Sequence, residues 1–161
     1  MKRMLSLMAL PARPVEVDLA MTPVLCWRWR IDAPLKNADI TRKTGDDSAA
    51  RIHLSFAARR GLRPGEDSAV MYIWDNRHAG GTWQASVHSA RTRILVLRTG
   101  AAEAGCWLDE RRDIAADYRH VFGQAPGCLI GLGMASDTDN TGEEARAGFA
   151  DFRFVGKDEP C

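Results

Sequence analysis

The sequence predicts an all-β domain, a single jelly-roll-like β-sandwich over residues 15–156 with one short connecting helix near 114–122. Three observations predict it. Apolar residues recur mostly with period two, turn residues separate the segments that carry this period, and only one stretch has helical spacing. An α/β sheet would need helices between most strands, so two packed sheets fit better. The 161 residues hold apolar material for one core, not two.

Residues 1–14 stand apart from the domain. Met1-Lys2-Arg3 followed by Met4 to Leu10 has the charge and apolar run of a weak export signal, but Pro11 and Arg13 follow at once. The other reading is a remnant strand over Leu5–Leu10 in a chain whose start has been misplaced. No apolar run approaches the roughly 18 residues a membrane helix needs.

Strands follow in order. Val15-Glu16-Val17-Asp18-Leu19 alternates, and Leu25, Trp27, Trp29 and Ile31 alternate with Cys26, Arg28, Arg30 and Asp32. Ile52, Leu54 and Phe56 alternate with Arg51, His53 and Ser55, and Ala69–Asp75 and Arg93–Arg98 do so more loosely. Cys128–Ala135 is an apolar run whose Gly131 and Gly133 suggest a close neighbour such as an aromatic ring. Phe149–Val155 closes the domain, and residues 157–161 form a tail. Gly61 to Gly65, Ala79 to Gly81 and Thr99 to Ala102 read as turns. Between them Ile114, Tyr118, Val121 and Phe122 share one helical face, with Asp113 as N-cap and Gly123 as the stop.

The charge balance, 22 basic against 21 acidic residues, gives a net +1 and no global electrostatic case for nucleic acid or an anionic membrane. Cys26, Cys106, Cys128 and Cys161 lack zinc spacing. Cys26 and Cys128 sit in apolar runs, where a thiol behaves as a small hydrophobe, so no obligatory disulfide is predicted. Trp27, Trp29, Trp74, Trp83 and Trp107 occupy or flank strands, which favours core filling over ligand stacking for each.

Chemistry is expected on the polar strand faces. Arg28 and Arg30 share one side of their strand, Arg51 and His53 one side of theirs, and antiparallel pairing would bring the two sets into cross-strand contact. Such a row of guanidiniums needs acceptors, either Asp46, Asp47 and Asp151 or a sugar. Trp74, beside Asn76, or Trp83 would supply a stacking platform. Asp46 and Asp47, meeting Asp137 and Asp139, would give an oxygen-rich calcium site. Asp137-Thr138-Asp139-Asn140-Thr141-Gly142 matches the first half of an EF-hand loop, but Gly148 stands where the closing Glu belongs, so the EF-hand version fails. No cofactor beyond calcium and no catalytic set is assigned. Asp47 with His53, His53 with Tyr72, and Asp47 with Asp137 are the acid–base pairs an enzyme would use. His78, His88 and His120 read as surface or turn histidines.

Five stretches taken in order are similar to one known family: Leu25-Cys26-Trp27-Arg28-Trp29-Arg30-Ile31, Gly45-Asp46-Asp47 with Ala49-Ala50-Arg51, Tyr72-Ile73-Trp74-Asp75-Asn76, Glu110-Arg111-Arg112-Asp113 with Ala116-Asp117-Tyr118, and the Asp137–Gly142 stretch. From about Val15 to Phe154 the chain resembles the bacterial family called domain of unknown function 3047. The resemblance implies a mainly β, galactose-binding-like sandwich related to jelly-roll carbohydrate-binding modules, in proteins that are periplasmic or secreted. The polar strand faces set beside exposed-looking aromatics favour a non-catalytic module for a saccharide or small polar ligand, with a polysaccharide-degrading enzyme and a purely structural ion-pair domain as the alternatives. Relatives carry further residues before the segment matching Leu5–Leu19.

Overall fold

The computed structural model describes residues 4–5, 13–58 and 67–161. Ten strands and one helix follow in the order β1 (Met4–Leu5), β2 (Arg13–Val17), β3 (Val24–Ile31), β4 (Ser48–Phe56), β5 (Ser68–Asp75), β6 (Trp83–Ala85), β7 (Thr92–Thr99), β8 (Leu108–Asp113), α1 (Ile114–Phe122), β9 (Leu129–Asp137) and β10 (Arg146–Val155). They form two sheets, β1-β10-β3-β8 and β2-β9-β4-β5-β7-β6, so the all-β sandwich is as expected. Neighbours pair antiparallel except β5 and β7, which run parallel. The Leu5–Leu10 strand and the export signal fall mostly outside the described residues; Met4–Leu5 pairs with the start of β10.

Period two explains the packing. Leu25, Trp27, Trp29 and Ile31 of β3 face Ala50, Ile52, Leu54 and Phe56 of β4 across the interior, and all are almost wholly buried. Trp27 stacks on Tyr72 with ring centroids 5.6 Å apart, and Trp29 packs edge-on to Trp27 and tilted against Trp74. Three of the five Trp therefore fill the core, as their setting in strands suggests, while Trp83 and Trp107 are half-buried. Trp107 lies over Gly148, where a Cβ would come within 2.8 Å of the ring. The aromatic neighbour expected at Gly131 is absent; a Cβ there would meet Ser55 instead.

The helix forms as its caps predict. Asp113 accepts from the Ala116 N–H, and Gly123 takes the left-handed conformation at φ 69°. Tyr118 is its inward anchor, packed on Phe56 and bonded through its hydroxyl to Ser68 Oγ at 2.7 Å.

Strand β8 was invisible to the hydrophobic pattern because its inward positions include Glu110 and Arg112. Glu110 accepts from Trp29 Nε1 at 3.0 Å and from Arg98 Nε at 2.6 Å. Arg112 grips Asp117, which also accepts from the Tyr72 hydroxyl at 2.6 Å. Burial, with the Asp117 carboxylate alongside, holds the Tyr72 phenol well above its ordinary range. These partners explain why charged residues can stand at inward positions.

The expectation of no obligatory disulfide is corrected. Cys26 is bonded to Cys161, 135 residues away in sequence. The tail folds back over the outer face of the four-stranded sheet, where Arg111 donates to the carbonyls of Lys157 and Glu159. This places Cys161 over Cys26, a contact that apolar periodicity does not encode. Cys128 is also corrected, being exposed rather than a buried small hydrophobe; it and Cys106 are free thiols.

Candidate functional site

The two arginine sets do not meet. Strands β3 and β4 belong to different sheets, so Arg28 and Arg30 lie on one outer face of the sandwich and Arg51 and His53 on the other. On the β3 face Arg28 is flanked by Asp109 at 3.0 Å, Asp151 at 3.6 Å and the Trp107 ring. A β-bulge in β10, with Asp151 at φ 57°, brings Asp151 to that position. Arg30 pairs with Asp32 at 3.5 Å. A groove of about 730 Å³ runs along this face beside the disulfide. Although it is larger than the cleft on the opposite face, Arg28 in it already has two carboxylate partners.

The smaller cleft, about 350 Å³, lies on the outer face of the six-stranded sheet. Its floor is Arg51 and His53 of β4 with Met71 of β5, neighbours because His53 stands opposite Met71 in the register. Asp137, Asp139 and Asn140, at the end of β9 and just beyond it, form one wall, and Ser86, His88 and Ser89 of the β6–β7 loop form another. Asp46 comes from the long β3–β4 connection. That connection crosses the sheet and buries Ile40 against Met71, Ile73, Ile94 and Val96, which fixes where Asp46 sits.

Two family stretches meet here. Asp47, wholly buried, accepts from the Thr141 N–H at 2.6 Å, the Asn140 N–H at 3.3 Å and the Asn140 side-chain amide at 3.2 Å. Arg51 reaches Asp137 at 2.9 Å, Ser48 Oγ at 3.0 Å and the Asp46 carbonyl at 3.3 Å. Gly142 takes φ 68°, as the turn requires. Oxygens of Asp47, Asp137 and Asp139 lie within 4.8 Å of one another. Asp46 is 5% exposed; its Oδ1 has no hydrogen-bond partner, and its Oδ2 is 3.3 Å from His88 Nε2.

These contacts set the electrostatics. Burial raises the Asp46 carboxyl above its ordinary value, against the pull of Arg51 and His88. Desolvation and then the neighbouring Asp137 raise that of Asp139. Burial and then Arg51 lower His53, which favours the neutral ring; its Nδ1 faces Ser55 Oγ at 3.2 Å. The cleft thus combines acceptor-rich walls with a neutral imidazole and one guanidinium.

Other predicted residues are placed elsewhere. Trp74 is buried and donates its indole N–H to the Gly100 carbonyl at 3.1 Å, so it offers no face to a ligand. Asn76 donates to the carbonyls of Lys36 and Ala38 and pins the β3–β4 connection. Trp83 stacks near His120, away from the cleft. Tyr72 faces the interior while His53 faces outward, so they form no acid–base pair, and the buried, fully bonded Asp47 is no proton shuttle for His53. Sequence reasoning missed Met71, Ser86, His88, Ser89 and Thr92 as lining residues. The polar stretch Ser86-Val87-His88-Ser89 carries only the signal of a turn.

Among the described residues no helix is long and apolar enough to cross a membrane. No curated protein matches the chain. The model of the family described as protein of unknown function, DUF3047, matches residues 5–153, which takes in both cleft-forming stretches, and the chain belongs to that family.

Proposed function

We propose that this domain is a non-catalytic binding module whose outer-face cleft takes a small polar ligand, with a saccharide as the favoured class. The observation that supports it is the convergence of Asp46, Arg51, His53, His88, Asp137 and Asp139 on one open cleft of about 350 Å³. That volume falls within the roughly 300–1,000 Å³ of small-ligand sites. A polyol suits such a lining because each hydroxyl both donates and accepts: the carboxylates accept hydrogen bonds from its O–H groups, and Arg51 and His88 donate to its oxygens. No Trp, Tyr or Phe lines the cleft, so recognition rests on hydrogen bonds over the apolar floor of Met71 rather than on ring stacking. Three lining carboxylates against one guanidinium favour a neutral or basic sugar over an acidic one.

An exported location accompanies this reading. The Cys26–Cys161 disulfide supports it, because such bonds persist in oxidising compartments.

A glycan array followed by calorimetric titration tests the proposal. His88, half-exposed on the rim, can be removed without disturbing the core. His88→Ala is expected to weaken the best glycan about tenfold, the equivalent of one lost hydrogen bond to a charged or polar group, at unchanged melting temperature. Absence of binding to any glycan by the wild-type protein would overturn it.

A further inference from the structure

We infer that the Asp47–Asp137–Asp139 end of the cleft is a site for a hard divalent cation of the calcium type, assisted by Asp46. The geometry comes first. Three carboxylate oxygens within 4.8 Å of one another all lie within about 2.8 Å of a common point, so shifts of a few tenths of an ångström bring them to the calcium–oxygen distance of roughly 2.3–2.6 Å. The donors are all oxygen, with no His or Cys among the three, which selects a hard cation over zinc or copper.

A second observation stands outside that trio. Asp46 lines the same cleft, is 5% exposed, and has a carboxylate oxygen that meets no donor. An ionised carboxylate buried in this way calls for a positive partner or the water bound to one. Asp46 lines the cleft together with Asp137 and Asp139 and directly precedes Asp47 in the chain, so it belongs to the same cluster of carboxylates.

Local charge balance points the same way. Asp47 is held by neutral N–H groups, and Arg51 makes its ion pair with Asp137 at 2.9 Å. Four carboxylates thus gather near one guanidinium, with His88 at 3.3 Å from Asp46 as a further basic neighbour. A dication supplies the missing charge without displacing Arg51, which engages Asp137 through Oδ2; Oδ1 accepts a long bond from the Asp139 N–H at 3.4 Å and keeps a lone pair for a cation. The β9–β10 turn is shaped for this role even though Gly148 replaces an EF-hand Glu, because Asp47 arrives from the β3–β4 connection instead.

The test uses the whole chain, stripped with a chelator and titrated with calcium chloride in the absence of any saccharide, so its result is independent of sugar binding. Saturable one-to-one binding is expected. The melting temperature should rise by roughly 5 °C or more at hundredfold excess over Kd. Asp139 is exposed, so Asp139→Asn should fold normally and lose at least tenfold in calcium affinity, and Asp46→Asn should also weaken it. Glu144→Gln, an exposed acid paired with Arg146, should bind like wild type. No calorimetric signal and no thermal shift at ~10 mM calcium, above the weak range of extracellular modules, would overturn the site. So would wild-type affinity in Asp139→Asn.

Discussion

Asp47→Ala tests whether the two signature loops are held together by one carboxylate. The side chain is wholly buried and accepts from two backbone N–H groups, those of Asn140 and Thr141, and from the Asn140 amide. Alanine removes the acceptor and leaves those donors partly buried. Each unsatisfied donor costs about 1–3 kcal/mol, and the 2.6 Å bond to Thr141 N–H, being charge-assisted, belongs at the upper end. The two longer bonds belong at the lower end, and water can reach the exposed Asn140 to repair part of the loss. The sum is about 3–4 kcal/mol, a large share of the roughly 5–15 kcal/mol of a typical domain. Urea denaturation monitored by Trp fluorescence would read it as a shift in midpoint at constant slope. Asn140→Ala should cost only about 1 kcal/mol, since it deletes the side-chain amide bond and leaves both backbone N–H bonds to Asp47. A loss below about 1 kcal/mol for Asp47→Ala would refute the reasoning, because the donors would then be satisfied without the carboxylate.

Two further outcomes follow from the contacts. Cys161→Ser frees a tail otherwise closed over 135 residues and should cost about 2–4 kcal/mol, read by thermal melts of the variant against the oxidised parent; an unchanged melting temperature would show that the bridge does not constrain the unfolded chain. His53, whose folded-state affinity for a proton is lowered by burial and Arg51, binds protons more readily when unfolded. Its contribution to stability is therefore complete above the ordinary 6.5 and is lost as pH falls below it. Melting temperature should decline from pH 7 toward pH 5, and His53→Gln should flatten that decline; an identical slope in the variant would contradict it.

How much of this was legible in the sequence depended on which way each side chain faced. Wherever an apolar residue pointed inward, period two found the strand, as with Leu25 to Ile31 and Ile52 to Phe56. The helix was legible because Asp113 and Gly123 cap it by local chemistry. Strand β8 was hidden because Glu110 and Arg112 satisfy their charges on Trp29, Arg98, Tyr72 and Asp117, which are remote in sequence or out of phase with it. The disulfide was hidden for a similar reason, since the return of the tail depends on Arg111 binding its carbonyls. For the site, alternation showed that Arg28, Arg30, Arg51 and His53 face outward. It could not show on which sheet, because strands consecutive in sequence can belong to opposite layers.

That distinction sorts the signature stretches by what they can say about function. Tyr72, Arg112 and Asp117 point inward and meet one another, Glu110 meets Arg98 and Trp29, and Trp74 donates to the Gly100 carbonyl, so these residues serve the fold. Asp47, Arg51, Asp137 and Asn140 meet across the β3–β4 and β9–β10 connections, so they would shape the cleft even if they touched no ligand. Within this cleft, neither packing nor pairing explains Asp46, nearly buried and with an oxygen unmatched, in the same cleft as Asp139, whose carboxyl is crowded by two others. A fold gains no stability from bringing such groups together, since burying an unmatched carboxylate costs free energy and like charges repel. Selection for stability would replace Asp46 with a neutral residue of similar size. Its presence at the mouth of a cleft already built by other residues is therefore the physical reason to look for a bound cation and polar ligand there rather than in the larger groove beside the disulfide.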